Sequence, residues 1–178
     1  MENLQAIMPM LLVTLTAVAT MVAEAFRRPG ERMPIGGLGV IGLLGAAVAA
    51  GLLWNRNAAG FGVIAADNFA LFVTIVVAGI GLLTIMFSGQ AIERDGLPQG
   101  EYYALTLFAI VGMMMMASAT DLLVIFLALE VLSLAVYVLT GIRRTDGAGT
   151  EAAFKYFLLG AFSSAFFLYG IAFTYTVT

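Results

Sequence analysis

The chain of 178 residues contains no cysteine and no histidine. Without cysteine it forms no disulfides and holds no cysteine-ligated iron–sulfur cluster or Cys-His zinc site. Without histidine it also lacks the ordinary axial ligand of haem. Any redox chemistry connected with this chain must therefore take place in other polypeptides.

Charged residues are also scarce, with eight Lys and Arg against eleven Asp and Glu and a net charge of -3. The basic residues are scattered through the connecting segments, so the chain has neither a nucleic-acid-binding patch nor a polybasic lipid-binding patch. It contains no P-loop, no dinucleotide-binding fingerprint and no set of metal ligands. We therefore expect this chain to bind no nucleic acid, metal or cofactor.

Apolar residues dominate instead, at 62% of the chain with a mean hydropathy of +1.03, which is typical of a membrane protein. A bilayer core requires about 20 apolar residues per helix, and six such runs are present. The sequence predicts an all-α, polytopic transmembrane bundle that forms a single domain over residues 1–178. Its helices are expected at about 4–26, 34–54, 67–88, 102–119, 121–142 and 151–176.

The connecting segments are short, so consecutive helices must run antiparallel. Six arginines fall in the first, third and fifth connections, whereas the second holds only Arg56 and the fourth holds none. The excess of basic residues marks the cytoplasmic side. We therefore expect the N-terminus outside and the odd-numbered connections inside; the six arginines are Arg27, Arg28, Arg32, Arg94, Arg143 and Arg144.

Several other features have a structural interpretation. Small residues in the second helix, from Gly42 to Ala50, and in the sixth helix, at Gly160 and Ser164, favour close packing between helices. Asp67 and Asp121 each precede a predicted helix and are interpreted as helix caps.

Glu130 requires a different explanation, because it lies in the middle of the apolar run IFLALEVLSLAVYVL. It follows Asp121 by nine residues and precedes Arg143 by thirteen, which places it about 14 and 20 Å from them, near the bilayer midplane. Ser133 and Tyr137 share its helix face and form a polar stripe. A charged residue at this depth costs about 2.5–3.5 kcal/mol, and such residues are functional by default. We favour a proton relay; the alternative is a neutral acid that joins two helices.

Lys155, the only lysine, lies about one turn inside the sixth predicted helix. It can extend to the headgroups or pair with Glu151 at i, i+4, which would make it an anchor. It can equally turn inward towards a buried carboxylate such as Glu130. Spacing alone leaves both possibilities open.

Two segments at these helices carry a family resemblance, LALEVLSLAVYVLTGIRR and EAAFKYFLLGAFSSAFFLYGIAFTY. In their order and spacing they resemble subunit N of the proton-pumping NADH:quinone oxidoreductase, respiratory complex I, an antiporter-like subunit. The resemblance covers residues 101–176 well, while the first three helices agree mainly in hydropathy and topology. It implies that Glu130 belongs to a chain of buried charges and that Lys155 is counted with it.

The resemblance also implies a membrane-arm subunit that translocates protons in the bacterial inner membrane. Other membrane-arm subunits would be its partners, and quinone, flavin and iron–sulfur clusters would reside in partner subunits. Members of that family are far longer, so we expect this chain to be the N-terminal portion of one. Two alternatives remain: a subunit of a multi-subunit sodium/proton antiporter, or a purely structural bundle.

Overall fold

The computed structural model describes residues 2–27 and 35–177. These contain six helices long and apolar enough to cross a membrane, which confirms the predicted all-α bundle. Apart from one end, the helix termini lie within four residues of those predicted. The helices are α1 (Glu2–Ala25), α2 (Ile35–Leu52), α3 (Asn68–Asp95), α4 (Gln99–Ser118), α5 (Leu122–Thr140) and α6 (Gly147–Val177). Arg28, Arg32 and the predicted start of α2 at residue 34 lie outside the described residues.

The hydrophobic core lies among the first four helices. Val13 from α1, Leu43 from α2, Ile85 from α3 and Leu107 from α4 all belong to one buried cluster. Close approach depends on small residues, as the sequence predicted. A Cβ added at Gly42 would lie 2.3 Å from Oγ1 of Thr16, so α1 and α2 could not pack this closely with a larger residue there.

The end of α3 was predicted wrongly. The sequence analysis placed it at residue 88, but the helix continues to Asp95. It stops where Gly96 adopts a left-handed conformation, with φ of 63°, and donates its N–H to the carbonyls of Ile92 and Glu93. Gln90, Glu93 and Arg94 are good helix formers, so the helix continues beyond the point where the hydropathy of the sequence falls.

A two-stranded antiparallel hairpin between α2 and α3 was not predicted. Its strands are β1 (Ala58–Gly60) and β2 (Ile64–Ala66). The hairpin joins separate helices, because the N–H of Phe61 donates to Oδ1 of Asn3 and the N–H of Thr120 donates to the carbonyl of Val63. The N-terminus, the start of α3 and the end of α4 therefore lie at the same end of the bundle.

Helices α5 and α6 lie outside this core. Helix α5 packs tightly on α4 at Gly112, where an added Cβ would lie 2.7 Å from the backbone nitrogen of Leu132 and 2.9 Å from the carbonyl oxygen of Ala128. Helix α6 then packs on α5. Only 6% of the most apolar window of α6 is buried, compared with 50% for α4. Most of the α6 surface is therefore exposed in this chain.

Capping and ion pairs fix the helix ends. Asp67 Oδ1 accepts from the N–H of Ala70 and Asp121 Oδ1 accepts from the N–H of Leu123, which confirms both predicted caps. At the opposite end of α5, Arg143 pairs with Asp95 at 2.5 Å and Arg144 pairs with Glu101 at 2.9 Å. The connection between α5 and α6 is thereby held against that between α3 and α4.

Candidate functional site

The candidate site lies in the interface between α5 and α6. The two helices run antiparallel, so residues late in α6 meet residues early in α5. Contacts follow this register along the whole interface, from the Asp121–Tyr175 hydrogen bond through Phe126–Phe167, Glu130–Ser164 and Tyr137–Gly160 to the approach of Gly141 and Ala153. Glu130 therefore lies near the middle of this interface.

Glu130 Oε1 accepts a hydrogen bond of 2.5 Å from the hydroxyl of Ser164, 34 residues later in the chain. Both residues are half-buried. A serine hydroxyl donates to a carboxylate and accepts from a carboxylic acid, so Ser164 can hydrogen-bond to Glu130 in either protonation state.

Aromatic contacts lie on both sides of this pair. Towards the start of α5, the rings of Phe126 and Phe167 are 6.2 Å apart. Towards its end, the ring of Tyr137 packs edge-on against Tyr156 at 4.8 Å. Aromatic ring contacts therefore lie on either side of the Glu130–Ser164 pair along the interface.

The predicted polar stripe serves packing more than hydrogen bonding. Tyr137 is only 9% exposed and lies against Gly160, where an added Cβ would overlap its ring. Ser133 makes no hydrogen bond to any residue that the structure describes, although it is half-buried on the same helix. Among the described residues, the side-chain hydrogen bond of Glu130 is to Ser164, and neither Ser133 nor Tyr137 forms one with it.

Lys155 lies with Glu151 and not with Glu130. Its Nζ is 2.5 Å from Oε1 of Glu151, and the two side chains are 72% and 66% exposed. This is the i, i+4 pairing that the sequence offered as the anchoring alternative. Among the described residues, the ion-pair partner of Lys155 is therefore Glu151.

Where α5 begins and α6 ends, the hydroxyl of Tyr175 donates to Oδ2 of Asp121 at 2.9 Å. This hydrogen bond, with a further one from the N–H of Leu123, holds the pKa of Asp121 below its ordinary value. Asp121 thus caps α5 and also fixes the end of α6. The sequence predicted the first role and gave no sign of the second, because Tyr175 is 54 residues away.

Ser164 is the site residue that sequence reasoning missed. It was interpreted only as a small packing residue, but its hydroxyl bonds to the one carboxylate in the middle of α5. Its position one turn after Gly160 was the available signal, since small and hydroxyl-bearing residues on one helix face mark both close approach and interhelical hydrogen bonding. Within the described residues, no group of three or more acidic side chains is placed to hold a metal ion.

Comparison with known proteins supports the resemblance seen in the sequence. A family model described as "NADH:quinone oxidoreductase/Mrp antiporter, TM" matches residues 119–178, which include α5, α6 and the Glu130–Ser164 pair. The chain is 40% identical to NADH-quinone oxidoreductase subunit N of Trichlorobacter lovleyi over 99% of its length. It is 39% identical to the subunit N of Chloroflexus aggregans, again over 99% of its length.

This chain is therefore similar to NADH-quinone oxidoreductase subunit N over nearly all of its own length. The resemblance predicted from the sequence is thereby confirmed, and it extends to the first three helices. The chain spans about a third of its relatives' length, since it covers 36% of each of these two subunit N sequences.

Solved structures agree with this relationship. The fold matches a chain of respiratory complex I from Thermus thermophilus with a TM-score of 0.80 and 34% identity, over 96% of this chain and 37% of that one. It also matches a chain of an archaeal membrane-bound sulfane sulfur reductase with a TM-score of 0.83. At 24% identity, the second match is evidence of a shared fold alone.

Proposed function

We propose that this chain is part of an antiporter-like membrane-arm subunit that translocates protons, driven by NADH-dependent quinone reduction in partner subunits. The observation that carries the proposal is the carboxyl group of Glu130, held by the Ser164 hydroxyl in the middle of a membrane-spanning helix. The similarity to subunit N supports the same assignment.

In this proposal Glu130 takes up and releases a proton while remaining hydrogen-bonded to Ser164. A hydroxyl that can donate or accept stabilises the carboxyl group before and after proton transfer. Ionised groups within the membrane are costly, so such a residue is usually retained for function. Ser133 and Tyr137 are assigned a supporting role on the same helix, and Lys155 a secondary one near the helix end.

We infer that the interface between α5 and α6 supplies only part of the proton path. Ring contacts at Phe126–Phe167 and Tyr137–Tyr156 bound the Glu130–Ser164 pair on both sides. We therefore infer that protons reach Glu130 through groups outside this interface. Moving one charge against 100 mV requires about 2.3 kcal/mol, and that energy must come from partner subunits.

We further propose that the chain lies in a bacterial inner membrane with its N-terminus outside. The support is the distribution of arginines: Arg94, Arg143 and Arg144 lie at the end of the bundle opposite the hairpin, and Arg56 lies at the hairpin end.

The deciding experiment replaces Glu130 with Gln in the complete subunit within its assembled complex. The amide keeps a hydrogen bond to Ser164 but cannot ionise, so assembly should be retained while proton pumping and coupled quinone reduction fall. Glu130→Asp, in which a water molecule can bridge the missing methylene, should retain part of the activity. Proton translocation is measured in sealed vesicles, with assembly checked by native electrophoresis. Normal pumping by the Gln variant would leave only the structural role of Glu130.

A sodium/proton antiporter subunit is the second candidate, because the matching family model includes Mrp antiporters in its description. The two functions differ in their coupling. A complex I subunit should pump protons only when NADH is oxidised, whereas an antiporter subunit should exchange protons for sodium without NADH. Sodium-dependent proton flux in vesicles lacking NADH would favour the antiporter.

A further inference from the structure

An apolar groove on the outer surface of α1 and α2 is not used by the proposed proton relay. One cavity of about 280 Å³ follows α1 from Leu4 to Leu15 and is lined by apolar side chains except at Gln5. A second cavity of about 200 Å³ lies between α1 and the end of α2 and reaches Arg56. Gln5 and Met8 line both cavities, so the two form one groove.

The dimensions of the groove suit one leaflet of a bilayer. Ten residues of helix separate Gln5 from Leu15, which corresponds to about 15 Å along the axis. Half of the bilayer hydrocarbon core is also about 15 Å thick. A lipid acyl chain lying along α1 would therefore extend from the polar end of the groove to near the midplane.

The polar end of the groove carries Arg56, which forms no ion pair with any carboxylate that the structure describes. Among the residues that the structure describes, Arg56 pairs with no carboxylate, whereas each of the other described basic side chains does. Those five are Arg27 with Glu24, Arg94 with Asp95, Arg143 with Asp95, Arg144 with Glu101 and Lys155 with Glu151.

The surroundings of Arg56 are those of a membrane interface. Trp54, two residues earlier, is 41% exposed, and tryptophan is enriched at the level of the lipid headgroups. A guanidinium group binds phosphate oxygens through paired hydrogen bonds. Arg56 is thus suited to a phosphate at the point where the apolar groove opens.

We propose that this groove binds an anionic phospholipid, with one acyl chain along α1 and the headgroup phosphate on Arg56. The charge complementarity and the length of the groove favour this occupant over a purely apolar helix, which would offer the guanidinium group of Arg56 no counter-ion. A single bound lipid of this kind requires no polybasic patch.

The test uses Trp54, which is the only tryptophan in the chain. The chain is reconstituted in two sets of phosphatidylcholine nanodiscs. One set contains phosphatidylglycerol whose acyl chains are brominated near the headgroup. The other set contains the same mole fraction of phosphatidylcholine brominated at the same position. One basic residue near the membrane surface should enrich the anionic lipid about fivefold. Trp54 fluorescence should therefore be quenched more strongly by the brominated phosphatidylglycerol.

Arg56→Gln should abolish this difference between the two lipids. The matched control Arg94→Gln removes the same charge at the other end of the bundle and should leave the difference unchanged. High salt should weaken the preference in the unmodified chain, because it is electrostatic. Equal quenching by both lipids, a preference that survives Arg56→Gln, or one that is insensitive to salt would each overturn the proposal.

Discussion

Tyr137 of α5 lies directly against Gly160 of α6, where no side chain larger than hydrogen fits beneath its ring. One turn further along α6, Ser164 meets Glu130. The packing contact and the hydrogen bond therefore share one register between the two helices. The contact between the Tyr137 ring and Gly160 fixes the position along the helix axis at which the Ser164 hydroxyl reaches the carboxyl group of Glu130.

The first prediction concerns Ser164. Ser164→Ala should lower proton pumping in the assembled complex, because Glu130 loses a hydrogen bond worth about 1.5–3 kcal/mol when its acceptor is charged. Ser164→Thr keeps the hydroxyl and should restore most of the activity. Pumping per assembled complex is the measurement. If Ala and Thr variants pump equally, the hydroxyl does not serve Glu130.

The second prediction ranks Lys155 below Glu130. Lys155 is exposed and paired with Glu151, and an exposed pair of this spacing contributes only about 0.3–0.5 kcal/mol. Lys155→Ala should therefore reduce proton pumping less than Glu130→Ala does. Both variants are compared in the same vesicle assay. The opposite order would make Lys155 the central group.

The third prediction tests the contact between α4 and α5. Gly112→Ala places a Cβ against the backbone of α5 and should lower the free energy of unfolding by about 1–3 kcal/mol, as overpacking does. Gly79→Ala in α3 is the matched control, because nothing lies within 4 Å of its added Cβ. It should be neutral or stabilising by up to about 1 kcal/mol, since alanine favours helix over glycine. Unfolding in detergent, followed by circular dichroism, measures both; equal stability of the two variants would contradict the close contact.

The fourth prediction is a pH dependence from Asp121. The hydroxyl of Tyr175 and the N–H of Leu123 hold the pKa of Asp121 below its ordinary value of 3.8. A depressed pKa in the folded state adds stability above that ordinary value, and the contribution is lost as the pH falls through the folded pKa. Tyr175→Phe should therefore be less stable than the unmodified chain at neutral pH, with a smaller difference below pH 3.8. Denaturation at both pH values checks this, and a difference that grew on acidification would contradict it.

The fifth prediction concerns orientation. Because the chain has no cysteine, single cysteines can be introduced at Asn57, beside the hairpin, and at Thr145, between α5 and α6. A membrane-impermeant thiol reagent should label Asn57→Cys from outside intact cells and Thr145→Cys only after permeabilisation. Labelling of both from the same side would refute the arginine-based topology.

The local chemistry of the sequence determined the number of membrane helices, the capping roles of Asp67 and Asp121, and the exceptional position of Glu130. Hydropathy over about 20 residues and the residue types at helix starts are sufficient for these features. The same local signal misplaced the end of α3, because a helix can extend beyond the apolar run until a residue such as Gly96 terminates it.

Only the tertiary structure decided which groups meet. The pairing of Glu130 with Ser164 depends on the rotation and height of two helices, which packing at Tyr137 and Gly160 fixes. The sequence equally allowed Lys155 to turn towards Glu130 or to pair with Glu151, and the structure places it with Glu151. Helix periodicity shows which residues share a face, but the partner across that face is chosen by contacts between residues distant in the chain.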